Sequence, residues 1–353
     1  MGALSAVRHF SQVAAEYAPL RKHPSLFEPS DVAGWLDERF CGLLQSIEQG
    51  KDAPYVIKEV SSEVYTFPLL TQHACRSLVE EIANFGASGI KARRPNNMKS
   101  APPSSPAALS SNYGVVLNDI GFRSSLNELQ ALVQPVARAL FPVEGESLDD
   151  HHSFVVSYRP DQDKGLDMHT DDSDVTLNVC LGEDFQAAGL TFCGNVGAAD
   201  HRIVSATYQH TPGHAVLHLG RRAHVANRCS AHLDELCLPV GRRRHGADDI
   251  QSGHRINLIM WSYNRDYRAS RAYRRRSQMF TRESSPPSPE CTSYTHDRDF
   301  MQIRGDMDPE VRERAEKHSS KTWCPPPPCE YDGFDGVSGR YKAVDPFYRD
   351  LMN

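Results

Sequence analysis

The chain has 353 residues, enough for two domains of ordinary size or one large domain with extensions. Hydrophobic residues make up 39% and charged residues 24%, which excludes a wholly disordered composition. A formal charge of −6 argues against a protein that coats a polyanion, and no apolar run is long enough to span a bilayer.

The first residues, MGALSAVRHFSQVAAEYAPLRK, lack an apolar leader, so no secretory signal is expected. Arg8, Arg21 and Lys22 against the single acid Glu16 give a weak organelle-transit flavour. Nine Cys, scattered and odd in number, read as reduced thiols. The expected location is therefore intracellular, cytoplasmic or nuclear, with organelle import left open. Most of the 16 His fall between His151 and His254. Composition alone does not separate a metal site from polar surface.

In chain order, Asp31 is the expected N-cap of a helix through VAGWLDERFCGLLQSIEQG, ending near Gly50. Residues 59–68 read as a strand. Thr71 then opens a helix with Ala74, Leu78, Ile82 and Phe85 on one face. The Pro/Ser-rich stretch 94–112 is a loop, and a further helix is expected from Ser124 to Leu140.

From residue 153 the rhythm changes to short β-like runs. They are Phe154–Tyr158, Val175–Leu181, Leu190–Phe192, Ile203–Gln209, Ala215–Leu219 and Ile256–Tyr263. Such spacing predicts a sandwich, barrel or jelly roll. Residues 229–252 interrupt the pattern and read as an inserted loop. Residues 264–282 are Arg-rich, and 283–353 carry SSPPSP and CPPPPC with little periodicity. Cys324, Cys329 and His318 fit no strong zinc pattern, so a polyproline segment is the plainer reading. The Arg cluster alternates with Tyr267, Tyr273 and Phe280, yet the negative chain favours a solvated helix over a nucleic-acid site.

The chemistry centres on DMHTDDSDVTLNVCLG. His169 and Asp171 are two apart, so on extended chain an imidazole and a carboxylate share one face. One more imidazole would complete a facial triad with open positions for a metal. The candidates are His201, His210, His214, His218, His224, His232, His245 and His254. His224 is favoured, because it follows the strand-like AVLHLG in PGHAVLHLGRRAHVANR; His218 is the runner-up. Asp172 and Asp174 read as solvated turn residues, with a role in orienting His169 as the alternative. In SGHRINLIMWSYN, Arg255 opens an apolar strand and needs a partner. A carboxylate fits its planar guanidinium through two hydrogen bonds.

The order YxP, HxD, strand, Gly-to-His and GxRxNLxxW resembles the prolyl 4-hydroxylase-type family of 2-oxoglutarate- and Fe(II)-dependent dioxygenases. The pieces RPNNM, NYGVVLNDIGF, FVVSYRPDQD, HTDDSDVTLNVCLG and VLHLGRRAH are similar to the 2-oxoglutarate and iron-dependent oxygenase domain-containing proteins within it. The resemblance covers about 60–262. It implies an α+β chain built on a double-stranded β-helix, or jelly roll, with flanking helices. It implies that His169, Asp171 and His224 hold Fe(II), that Arg255 anchors the 5-carboxylate of 2-oxoglutarate, and that Tyr158 contacts the same co-substrate. L-Ascorbate (vitamin C) enters as the family's reductant, and O₂ as the other co-substrate.

Two departures stand out. The family places its basic residue about ten positions after the distal His, whereas His224 and Arg255 are 31 apart. Relatives carry Gly-Gly where this chain has Ala188-Gly189.

The expected organisation is a helical extension over 1–58, a dioxygenase domain over 59–263 with its core at about 150–263, and an Arg- and Pro-rich extension over 264–353. The expected activity is hydroxylation of an unidentified protein side chain or small molecule, coupled to decarboxylation of 2-oxoglutarate to succinate. The alternative is a catalytically silent jelly-roll scaffold whose Arg-rich tail binds partners.

Overall fold

The structure is a computed structural model. It describes residues 12–50, 56–91, 114–195, 200, 203–220, 243–270, 288, 291, 334–335 and 340–341. The expectations for 94–112, for most of the Arg cluster and for CPPPPC lie outside these residues, as does His224.

The N-terminal helix is shorter than expected. Residues Pro29–Trp35 form a 3₁₀ stretch, and the α-helix is Glu38–Glu48. Its cap is Asp37, not Asp31: the Asp37 carboxylate accepts from the Arg39 N–H at 2.9 Å. Asp37 has extended backbone, as an N-cap requires, while Asp31 lies within the 3₁₀ turn. The helix Gln72–Ala87 starts as expected, its Thr71 hydroxyl accepting from the Ala74 N–H. The third helix is Arg123–Leu140.

In chain order the strands are β1 (Lys58–Ser61), β2 (Val64–Pro68), β3 (Gly114–Val116), β4 (Asp150–Tyr158), β5 (Leu166–His169), β6 (Val175–Gly182) and β7 (Phe185–Ala187). Then come β8 (Leu190–Asn195), β9 (Val204–Tyr208), β10 (His214–Leu219), β11 (Arg243–Ala247), β12 (Ile250–Gly253) and β13 (Arg255–Tyr263). A seven-stranded antiparallel sheet runs β1-β2-β10-β6-β13-β4-β3. A four-stranded one runs β5-β11-β8-β9.

The second half of the expected insert 229–252 is therefore sheet: β11 and β12 lie within residues 243–253. Arg243-Arg244-His245-Gly246 does not alternate apolar with polar, so periodicity gives no strand signal there. All five residues of β11 are nevertheless buried.

The large sheet covers one apolar core with its outer face. Val175, Leu177 and Val179 of β6 pack there with Ile256, Leu258 and Met260 of β13, against the helices. Tyr17, Trp35 and Phe40 from the N-terminal segment join the same core. The inner face meets the small sheet. Val64 and Val216 contact Leu190 and Phe192, while Phe154, Val156 and Ile259 pack with Ala247. Two facing antiparallel sheets with apolar contacts between them make the jelly roll, and a polar interior lies between these two clusters.

Cys193 and Cys291 are joined by a disulfide with Cα atoms 6.1 Å apart, within the range a disulfide spans. This corrects the reading of all nine Cys as thiols. Scatter along the chain says nothing about two Cys that the fold brings together, here from β8 and the segment after residue 288. Cys41, Cys75 and Cys180 are free. Among the described residues no helix is long and apolar enough to cross a membrane.

Candidate metal centre

β5 ends at His169, and Asp171 follows in the turn before β6. The β5–β11 register places His245 directly opposite His169, and their rings lie 4.4 Å apart. The Asp171 carboxylate completes the cluster. Its Oδ1 is 3.6 Å from His169 Nε2, and its Oδ2 is 3.5 Å from His245 Nε2. The three ligand atoms lie within 4.8 Å of one another.

Tautomers follow from the surrounding acceptors. The His245 Nδ1–H donates to the Arg243 carbonyl at 3.3 Å, which leaves the Nε2 lone pair facing Asp171. A lone pair and a carboxylate facing each other in a buried site call for a cation between them. Two imidazoles and one carboxylate suit Fe(II).

Burial by itself would raise the Asp171 carboxyl. The imidazoles of His245, His169 and His218, with the Thr176 hydroxyl, outweigh burial and hold it below the usual carboxylate range. The Thr176 hydroxyl donates to Asp171 Oδ2 at 2.7 Å and fixes the carboxylate's orientation.

Among the described residues, the second imidazole beside His169 and Asp171 is that of His245, one of the candidates; the favoured one, His224, lies outside the described residues. The chain contains GRRAH at 220–224 and GRRRH at 241–245. The described strand carries the second. His245 also stands ten positions before Arg255, the spacing that His224 misses. His218, the runner-up, flanks the cluster, its Nε2 3.8 Å from Asp171 Oδ2. Burial and the neighbouring His245 push its pKa down to about 3.

The remaining candidates diverge. His254 sits at the rim beside Glu183, at 2.8 Å. His214 begins β10 and lines a surface pocket with Arg39 and Leu43. His201 and His232 lie outside the described residues. Asp174 is buried, not solvated. Its Oδ2 accepts from the Arg268 Nε–H at 2.6 Å and from the Asn264 N–H at 2.9 Å. Asp172 is exposed, 3.7 Å from Arg268.

Arg255 is fully buried, and its cross-strand partner is Tyr158. The guanidinium carbon sits 4.5 Å from the centre of the Tyr158 ring. Its Nη1 donates to the carbonyls of Ala188 and Gly189. The Ala188 backbone is left-handed, with φ at 55°, a conformation that favours glycine. This explains physically why a Gly-Gly pair suits this turn and shows that Ala is held there regardless.

The fold and the cluster give a jelly-roll protein with a His-carboxylate-His candidate metal site between its sheets. Residues 13–146 match the model of the OGFOD2-like domain. The chain is 35% identical over 225 residues to the 2-oxoglutarate and iron-dependent oxygenase domain-containing protein ICU11 of Arabidopsis thaliana, over 60% of this chain and 48% of that protein. It is 31% identical over 252 residues to 2-oxoglutarate and iron-dependent oxygenase domain-containing protein 2 of Danio rerio, over 69% of this chain and 63% of that protein. The chain spans about half the length of the first curated relatives it matches. Among solved structures, a Trichoplax adhaerens prolyl hydroxylase in complex with a hypoxia inducible factor peptide aligns with a TM-score of 0.39 and 10% identity, covering 65% of this chain and 91% of that one. A Pseudomonas putida prolyl-4-hydroxylase aligns with a TM-score of 0.34 and 12% identity, over 64% and 94%. The chain is thus similar in sequence to 2-oxoglutarate and iron-dependent oxygenase domain-containing proteins.

Proposed function

We propose that this chain is an Fe(II)- and 2-oxoglutarate-dependent dioxygenase. It couples decarboxylation of 2-oxoglutarate to succinate with hydroxylation of a protein side chain or small molecule. The observation that carries this reading is the convergence of His169, Asp171 and His245 in the same jelly-roll interior as Arg255. Ferrous iron, when bound, supplies O₂ activation at the expense of the 2-oxo acid.

The chain's own residues do the rest. His169 and His245 present imidazole nitrogens, and Asp171 presents a carboxylate that Thr176 holds in place. Arg255 is the cation for the co-substrate's distal carboxylate, and Tyr158 braces the guanidinium from the neighbouring strand. The apolar contacts between the sheets keep bulk water from the interior. Ascorbate, as the reductant that keeps iron ferrous, belongs to the same reading.

The test is succinate release from 2-oxoglutarate by the full chain, with and without Fe(II). Turnover is expected with iron and lost in His169→Ala and His245→Ala. A wild-type chain that binds iron but releases no succinate, with or without added substrate, would support the silent scaffold instead.

A further inference from the structure

The interior near Arg255 holds a second polar group that the metal centre does not use. Asn257 lies two residues after Arg255 on β13, so both side chains point between the sheets. The Asn257 amide N–H₂ donates to Asn178 Oδ1 at 2.6 Å and reaches His210 Nδ1 at 3.4 Å. His210 follows β9, is buried, and packs edge-on against Tyr208 with ring centres 5.3 Å apart. Thr66 donates to the Tyr208 hydroxyl at 2.9 Å, which anchors that ring in turn.

The tautomer is fixed by this network. Nδ1 accepts from Asn257, so the proton of the neutral ring is on Nε2. Burial, and then the Arg255 cation, push the His210 pKa well below its ordinary value and keep the ring neutral. Among the described residues, Nε2 has no hydrogen-bond partner, and neither has Asn257 Oδ1. A buried N–H without a partner is costly, and the Asn257 contact places this ring at the end of the interior where Arg255, two residues away on β13, also points. An anionic ligand end held by Arg255 would relieve it.

We infer that His210 is a second donor to the distal carboxylate of the 2-oxo acid, held in place by the Asn178–Asn257 pair. It selects a dicarboxylic over a monocarboxylic 2-oxo acid. This rests on the proposed use of 2-oxoglutarate and adds a residue outside the Arg255 anchor.

The test compares two acids, 2-oxoglutarate and 2-oxovalerate, which share the 2-oxo acid end and differ in the distal carboxylate. Binding to the Mn(II)-loaded full chain is measured by calorimetry, without turnover. His210→Phe should weaken 2-oxoglutarate by about tenfold or more, the value of one hydrogen bond to a charged group. It should leave 2-oxovalerate within about threefold, since that acid offers nothing for the Nε2–H to bond. His210→Gln, which retains a donor, should recover much of the loss. Should the Phe variant fail to fold, His210→Asn, whose amide is too short to reach, is read on the same ratio. Equal weakening of both acids, or of neither, overturns the inference. A wild-type chain that takes up Mn(II) but binds neither acid overturns the underlying co-substrate reading instead.

Discussion

Strand β13 separates two regions of opposite chemistry. On the helix side, Ile256, Leu258 and Met260 join the large apolar core. On the side facing the small sheet, Arg255 and Asn257 occupy the alternating positions before Ile259 and Trp261 close the interior. β6 repeats the division, with Val175, Leu177 and Val179 outward and Thr176 and Asn178 inward. Because side chains alternate strictly, one strand supports the fold with one face and the chemistry with the other. The site therefore stands on strands whose other face is packed into the apolar core.

The most severe break is a pair of substitutions, one per face. Asp171→Ala removes the carboxylate between the two imidazoles, and succinate release should fall to background while the melting temperature stays near wild type. Leu258→Ala should do the reverse. Loss of a fully buried leucine costs about 2–5 kcal/mol, read in chemical denaturation, with turnover per folded molecule unchanged. If Leu258→Ala abolished turnover in the folded fraction, the two faces would not be separable.

Arg255→Met tests the inner face more gently. One charge-assisted hydrogen bond is worth about 1.5–3 kcal/mol, so the 2-oxoglutarate concentration for half-maximal succinate release should rise roughly 10- to 100-fold. The rate at saturation should fall much less. An unchanged requirement would assign the anchor to another cation.

The outer face has a polar exception, and it gives a pH dependence. His151 of β4 is buried on the helix side, with Nε2–H donating to Asn127 at 3.0 Å and Nδ1 close to the Ser153 hydroxyl at 2.8 Å. Burial, and then the Arg123 cation, push its pKa from 6.5 to about 4. The unfolded chain thus takes up this proton first as pH falls. Stability is fully present above about pH 6.5 and declines toward pH 4. Buried His210 and His218 act in the same direction. His151→Gln should shrink, without abolishing, the drop in melting temperature between pH 7 and 4.5. An unaltered drop would exclude His151 as a contributor.

What the sequence reveals and hides follows the same division. The outer faces are legible because period-two apolar residues mark β4, β6, β10 and β13. His169 and Asp171 are legible because an i, i+2 pair on extended chain converges without help from the rest of the fold. β11 is hidden, since its inward residues serve the site and it has no apolar alternation to show. With β11 hidden, the GRRAH beside a recognisable strand looks like the better source of the distal imidazole. Only the β5–β11 pairing brings His245 opposite His169. The ten-residue spacing to Arg255 is the signal in the sequence that favours His245. The Cys193–Cys291 bond is hidden for a related reason, being long-range in sequence and local only in the fold.

The smallest expected effect is the sharpest test of the choice between His245 and His224. If His245 is the imidazole that counts, His224→Ala leaves iron-dependent succinate release unchanged, whereas His245→Ala loses it. The two GRRxH copies allow a stronger version. Deleting residues 221–241 joins Gly220 to Arg242 and restores a single GRRRH directly after β10. His218 and His245 would then be six residues apart, a stretch that spans up to about 20 Å when extended. Their rings lie 4.8 Å apart, and Gly220 and Arg242 would join the end of β10 to the start of β11. The deleted chain should retain metal binding and turnover, because every ligand and the Arg255 anchor lie outside the deletion. Loss of activity in His224→Ala, with His245→Ala active, would restore the first reading and place the site's second imidazole in the other copy.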